Sequence, residues 1–249
     1  MRIRAITFDF WNTLYWDQGH GFAQVNRARL AALRRVLEST GVAAAEGDLE
    51  RAYRTGFEAY VEAWRGGRHY GAREQVLHVL AAFQAETDAE AVETLVAEVE
   101  QAGLRADLAL LPGAAEMLPS LAAAGVGLGV ISDTGLTPGR ILTTFMQRDG
   151  VLDHFGALTF SDQTGYTKPH PQMFLQTLAR LGVPPREAAH VGDMPRTDVA
   201  GAQALGMVSV RMAAVEDHPE PPEAHLVIRD HRELRALLDG DQAGGLPNY

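Results

Sequence analysis

The chain has 249 residues, enough for one to two domains and for burying roughly three quarters of the unfolded surface. Lys and Arg total 22 against 32 Asp and Glu, a formal charge of −10. With no run of basic residues, that balance argues against a nucleic-acid backbone or an anionic membrane surface as the main partner. There is no Cys, so a disulfide, a thiol nucleophile and a cysteine zinc site are all excluded. The longest uncharged stretch, 117–132, has 16 residues with one Pro and three Gly, short of the ~20 apolar residues of a membrane helix. Asp9 breaks the first apolar run too early for a signal peptide. These features predict a soluble protein, most simply a cytoplasmic one.

The run IRAITF (3–8) suits a strand buried on both faces and stops at Asp9. Helical spacing follows, with Leu30, Leu33 and Leu37 on one side and Gly41 where a helix would end. A second helix is predicted from Asp48, with Tyr53, Phe57, Tyr60 and Trp64 on one side, to the Gly66-Gly67 pair. Val76, Leu80 and Phe83 mark a third, and Val92, Leu95, Val96 and Val99 a fourth that stops at Gly103. No strand signal appears between 15 and 105. From Pro112-Gly113 onward, helices alternate with strands at 126–131, 157–160, 188–191, 207–212 and 225–228, the helices falling at 138–148, 171–181 and 196–205. Strands separated by helices of this length imply a parallel sheet with helices on both faces. The expected organisation is an α/β core made of 1–14 and 106–249, interrupted by an all-helical lobe over 15–105. The Pro-rich EDHPEPPE (216–223) reads as a loop, and the tail AGGLPNY as poorly ordered.

In an open parallel sheet, ligands bind beyond the carboxyl ends of the strands, where strand order reverses. The polar residues fall at those ends: Asp9 after the first strand, Ser132 after VGLGVI, Lys168 after the third and Asp193 after AAHVG. Any one of these is more simply a turn or cap residue. Four of them on successive strand ends converge on one crevice.

At these residues the chain resembles the haloacid dehalogenase superfamily of aspartate-nucleophile hydrolases. The resemblance rests on four ordered motifs, FDFWNTL (8–14), ISDTG (131–135), KPHP (168–171) and VGDMPRTD (191–198). It implies a Rossmann-like three-layer sandwich, with the helical lobe in the position of the superfamily's cap domain. It further implies that Asp9 is the nucleophile and that Asp9, Asp193, Asp198 and the main-chain carbonyl of Trp11 make up a Mg²⁺ site, Asp198 orienting metal-bound water. Ser132 and Lys168 would act on the phosphoryl group, with Asp133, Trp11 and Thr13 beside the substrate. The chemistry is coherent. A carboxylate attacking phosphorus splits one hard displacement into two easier ones, and Mg²⁺ is a hard ion suited to carboxylates plus a substrate phosphate.

Trp11 departs from the pattern. Phosphatases of the superfamily usually carry a second Asp there as general acid, and an indole cannot exchange protons near neutral pH. Losing a general acid costs ~10²- to 10⁴-fold in rate. Either the enzyme prefers good leaving groups, or the cap supplies an acid, for which Glu58, Glu62 and His69 are candidates by position. Asn12 replaces the usual Gly and is the next most tolerant of left-handed backbone.

The leading reading is therefore a Mg²⁺-dependent phosphatase of a small phosphorylated metabolite, a monomer or homodimer. A 2-haloacid dehalogenase, whose first motif carries an aromatic residue at the place of Trp11, is the enzyme alternative. Against it, Asp193 and Asp198 with Gly192 look like a metal site, and no Arg follows Asp9 before Arg27 and Arg29. A catalytically idle metal- or phosphate-binding regulator is the alternative of another class. The aromatic stripe on the second helix is expected to be the lobe's own core. His170, expected to cap the helix opened by Pro171, and His190 are expected to be structural.

Overall fold

The computed structural model describes residues 2–19 and 21–238, and the tail AGGLPNY lies outside them. In chain order the elements are β1 (Ala5–Phe8), β2 (Tyr15–Asp17), α1 (Gly21–Ser39), α2 (Glu46–Arg65), α3 (Ala72–Ala82), α4 (Ala89–Gln101), β3 (Leu108–Leu110), α5 (Ala114–Ala123), β4 (Gly127–Ser132) and α6 (Gly139–Arg148). There follow β5 (Phe155–Phe160), α7 (Ser161–Thr164), α8 (Pro171–Leu181), β6 (Ala188–Gly192), a π-helical turn (Pro195–Val199), α9 (Ala200–Ala204), β7 (Val208–Met212) and β8 (Leu226–Ile228).

Six strands form one sheet in the order β5-β4-β1-β6-β7-β8, every pair parallel. β1, β6 and β7 are buried along their whole length, which suits their largely apolar sequences, although β6 carries His190 and β7 carries Ser209 and Arg211. The chain leaves β1 to build β4 and β5 on one side, then returns to build β6 to β8 on the other. The reversal falls at β1, so the switch-point crevice lies at the carboxyl ends of β4, β1 and β6. This is the parallel Rossmann-like α/β fold expected. Pro171 opens α8, and the Nδ1 of His170 accepts from the Gln172 N–H, as expected for a cap.

Two compact units can be distinguished. The first comprises the chain up to Trp16, Ala109–Asp133 and the chain from Phe145 onward; the second comprises Asp17–Leu108 and Thr134–Thr144. The second unit has its own core, where Leu33 and Leu37 meet Leu49, Val76, Val79, Leu95 and Val99, joined by Leu136. The buried guanidinium of Arg29 donates to the Val99 carbonyl at 3.0 Å and to Thr137 Oγ1 at 2.8 Å, which ties segment 134–144 to these helices.

Three expectations are corrected. Tyr15–Asp17 is a strand, paired with Leu108–Leu110, although the sequence carries no strand signal between 15 and 105. The helix expected over 196–205 opens as a π turn in which the Val199 N–H reaches the Met194 carbonyl five residues back at 3.4 Å. The face of α2 that packs inward consists of Leu49, Ala52, Gly56 and Ala63, with Tyr53 against the core, while Phe57 is half exposed; the aromatic stripe is not the lobe's core. No helix among the described residues is long and apolar enough to cross a membrane.

Candidate active site

Asp9 follows β1, with its N–H donating to the Val191 carbonyl of β6 at 2.8 Å. The next residues turn sharply. Asn12 adopts φ 52°, the left-handed conformation that Asn tolerates, and its N–H donates to the Tyr15 carbonyl at 2.7 Å. Trp11 bridges Tyr15 through the backbone and is half-buried, its ring centroid 5.1 Å from that of Phe10. The buried Thr13 has a hydroxyl with no hydrogen-bond partner among the described residues.

Ser132 ends β4, fully buried, with Oγ donating to the Asp133 carbonyl at 3.2 Å. Asp133 turns back toward the third motif, where its Oδ1 accepts from the Lys168 N–H at 2.8 Å. Its carboxylate thus shapes the Lys168 loop. Glu58 and Glu62 lie exposed on α2 of the second unit.

Lys168 is the only lysine in the chain, among 21 arginines. Its Nζ lies 2.8 Å from Asp9 Oδ1 and 2.6 Å from Asp198 Oδ1, with the side chain 1 % exposed. Burial alone would depress the ammonium, but Asp198, Asp9 and Asp133 outweigh it and hold its pKa above the ordinary lysine range. Lys168 therefore stays charged.

Asp193 and Asp198 flank the turn after β6. Carboxylate oxygens of Asp9, Asp193 and Asp198, all buried, lie within 4.8 Å of one another. Gly192 is required by this packing, since a Cβ there would meet Asp198 Cγ at 2.2 Å. Asp198 Oδ1 accepts from Lys168 and lies 3.0 Å from His190 Nε2, while Oδ2 accepts from the Met194 N–H at 3.0 Å and from Thr197 Oγ1 at 3.4 Å. Burial would raise this carboxyl, but Lys168 and His190 override it and hold it far below the usual carboxylate range. The other two behave oppositely. Burial raises Asp9 despite Lys168, and burial with the neighbouring Asp9 and Asp198 pushes Asp193 up to about 8.

One ammonium among three buried carboxylates leaves negative charge that the protein does not balance. Oxygen donors with that excess fit a hard divalent cation, and the cluster is competent to hold one. Asp9 and Asp193 have lone pairs to offer it. Those of Asp198 are all engaged by protein donors.

Of the residues picked from the four motifs, Asp9, Lys168, Asp193 and Asp198 gather in one cluster, with Asp133 bonded to the Lys168 backbone. Two participants escaped the sequence reading: Asn12, whose Nδ2 approaches Asp193 Oδ2 at 3.5 Å, and His190. The singular occurrence of Lys168 was a signal available in the sequence. Fold and site together define an α/β protein with an acidic switch-point centre built around one buried ammonium.

The sequence pattern of the haloacid dehalogenase-like hydrolases matches residues 3–206. The chain belongs to this family and is a hydrolase. A glyceraldehyde 3-phosphate phosphatase of Methanopyrus kandleri is 30% identical over 215 residues, 84% of each chain. A ribulose-1,5-bisphosphate 5-phosphatase of Halopiger xanaduensis is 29% identical over 83% of each. Among solved structures, a 2-haloacid dehalogenase from Pseudomonas syringae superposes with TM-score 0.68 at 26% identity, covering 95% of this chain and 98% of that one.

Proposed function

We propose that the chain is a Mg²⁺-dependent phosphatase of a small phosphorylated metabolite, acting through an aspartyl-phosphate on Asp9. The observation that carries this reading is the buried Asp9 carboxylate beside a permanently charged Lys168, within 4.8 Å of Asp193 and Asp198. The similarity to chains named as phosphatases of glyceraldehyde 3-phosphate and ribulose bisphosphate supports the same substrate class. Residues 1–14 and 106–249 act as the catalytic core and 15–105 as a cap that selects the substrate. The acidic surface fits a cytoplasmic monomer or homodimer with no nucleic-acid or membrane partner.

An Asp9 carboxylate oxygen bonds to phosphorus as the bond from phosphorus to the leaving oxygen breaks. The leaving oxygen takes its proton from solvent, since the Trp11 indole does not release its N–H proton near neutral pH. Water then attacks phosphorus, releasing inorganic phosphate and restoring Asp9. Lys168, Ser132 and the Thr13 hydroxyl, which has no partner among the described residues, hold phosphoryl oxygens, and Asp133 fixes the Lys168 loop. Asp9, Asp193 and the Trp11 carbonyl would hold Mg²⁺, which would supply charge that offsets repulsion between carboxylate and phosphate dianion. Asp198 closes the acidic cluster and anchors Lys168.

The test is an aryl phosphate assay. Release that requires Mg²⁺ and disappears in EDTA and in Asp9→Asn is expected. Metal-free halide release from 2-chloropropionate establishes the dehalogenase instead, and no turnover of either at high enzyme concentration favours an idle regulator. Trp11→Asp supplies the missing acid and is expected to raise turnover of alkyl phosphates at least ~10²-fold while aryl phosphates gain little. Equal gains on both would mean that Trp11 does not limit leaving-group departure.

A further inference from the structure

We propose that His190, backed by Thr7, is a positioning residue that sets the Asp198 carboxylate and, through it, the Lys168 ammonium. The proposal rests on the phosphatase reading only for the meaning of a rate, because its geometry lies wholly within the first unit. Thr7 and His190 are direct partners in the β1–β6 register, one strand position before Phe8 and Val191. Their side chains meet as Thr7 Oγ1 and His190 Nδ1 at 2.9 Å, and the opposite ring nitrogen lies 3.0 Å from Asp198 Oδ1.

The protons can be assigned from the chemistry of the partners. An ionised carboxylate only accepts, so Nε2 carries the hydrogen and donates to Asp198. Burial keeps the imidazole neutral despite that carboxylate, so Nδ1 is a lone pair, and the Thr7 hydroxyl donates to it at 2.9 Å in preference to the Ala189 carbonyl, which lies farther away at 3.3 Å. Phe174 holds the ring edge-on at 5.0 Å. His190 and Lys168 share one oxygen of Asp198, while the Met194 N–H and Thr197 hydroxyl fill the other. Four donors on four lone-pair sites leave the carboxylate a single orientation. Without the imidazole, Oδ1 keeps Lys168 as its only partner, and the ammonium can swing toward Asp9 at 2.8 Å.

The two ring nitrogens give a test that separates positioning from space filling. The amide of Gln reaches about as far as Nε2 and that of Asn about as far as Nδ1. His190→Leu is expected to lower kcat about 10- to 100-fold with KM little changed, the scale of lost outer-shell hydrogen bonds. His190→Gln recovers most of that loss and His190→Asn does not. Because Lys168 is the only lysine, ε-¹⁵N-lysine labelling gives a single Nζ resonance that reports the ammonium without any turnover. That resonance is expected to shift or exchange away in His190→Leu, to return in His190→Gln, and to be perturbed in Thr7→Val but not in Thr7→Ser. Thermal unfolding of each variant shows that the fold is retained. An Nζ signal indifferent to the substitutions, or equal behaviour of Gln and Asn, overturns the proposal. A wild-type protein with no phosphatase activity but with the expected Nζ pattern overturns only the phosphatase reading.

Discussion

Lys168 occupies a place that none of the chain's arginines could fill. Its three ammonium donors radiate from one atom, which lets a single group serve Asp9 and Asp198 at 2.8 and 2.6 Å inside a fully buried space. A guanidinium is planar and larger, keeps its charge, and demands a flat fork of acceptors. Lys168→Arg therefore preserves the charge of the site but overpacks it. The expected result is a loss of ~1–3 kcal/mol in stability together with at least a ~10²-fold loss of kcat. Denaturant titration and initial rates on one aryl phosphate measure both. If Arg retains most of the activity, the site needs only positive charge, and the close bracket around Asp9 has no catalytic meaning.

At the scale of elements, the turn after β8 carries a second buried histidine. His231 opens a short 3-10 segment (His231–Leu234) whose N-cap, Asp230, accepts from the Arg232 N–H. Its Nδ1 meets the Pro112 carbonyl at 3.2 Å, its Nε2 has no partner among the described residues, and its ring lies 6.0 Å from Phe8. Burial lowers its pKa to about 4, against 6.5 in an exposed chain. Above pH 6.5 both the folded and unfolded forms are neutral there, so stability is unaffected. As pH falls from 6.5 toward 4, the unfolded chain binds a proton that the folded chain refuses. Stability then declines by about 1.4 kcal/mol per pH unit, roughly 3 kcal/mol in all. His231→Asn keeps a donor for Pro112 and is expected to flatten the pH dependence by that one proton, read from urea midpoints between pH 4 and 7. An unchanged slope means that the ring is solvated in the native state. The elements themselves divide by what makes them. β1, β4 and β6 were legible because strands buried on both faces leave mainly apolar runs, broken in β6 only by His190, and Asp9, Ser132 and Asp193 were legible as the polar residues that end them. The three-residue β2 was not, since it forms only by pairing with β3. The membership of Thr134–Thr144 in the second unit was equally hidden, because it depends on Arg29 reaching Thr137 across 108 positions of sequence. His190 looked structural because its role follows from the β1–β6 register, which no single segment encodes.

For the molecule as a whole, the acidic centre sets stability against function. Asp193, buried beside Asp9 and Asp198, has its pKa pushed up to about 8, so the metal-free protein at neutral pH binds a proton there that the unfolded chain, near 3.8, does not. A raised carboxyl contributes stability below the unfolded value that is lost as pH rises, and at pH 7 most of that loss has been incurred. Asp193→Asn is nearly isosteric and carries no charge to bury. Without metal it is expected to be more stable than the parent at pH 7, on the order of 1 to 4 kcal/mol. Divalent metal works in the opposite direction. A cation that binds only the folded form stabilises it by about 2.7 kcal/mol at a hundredfold excess over its dissociation constant. The parent gains this and Asp193→Asn does not. Because Asp9, Asp193 and Asp198 all belong to the first unit, the gain is expected as slower amide exchange in β1, β4 and β6, with α1 to α4 changed little. Hydrogen exchange of both proteins with Mg²⁺ and with EDTA reads all of this in one experiment. Protection that rises equally in Asp193→Asn, or a metal-free variant less stable than the parent, means that Asp193 is neither the group that takes up the proton nor a ligand of the cation.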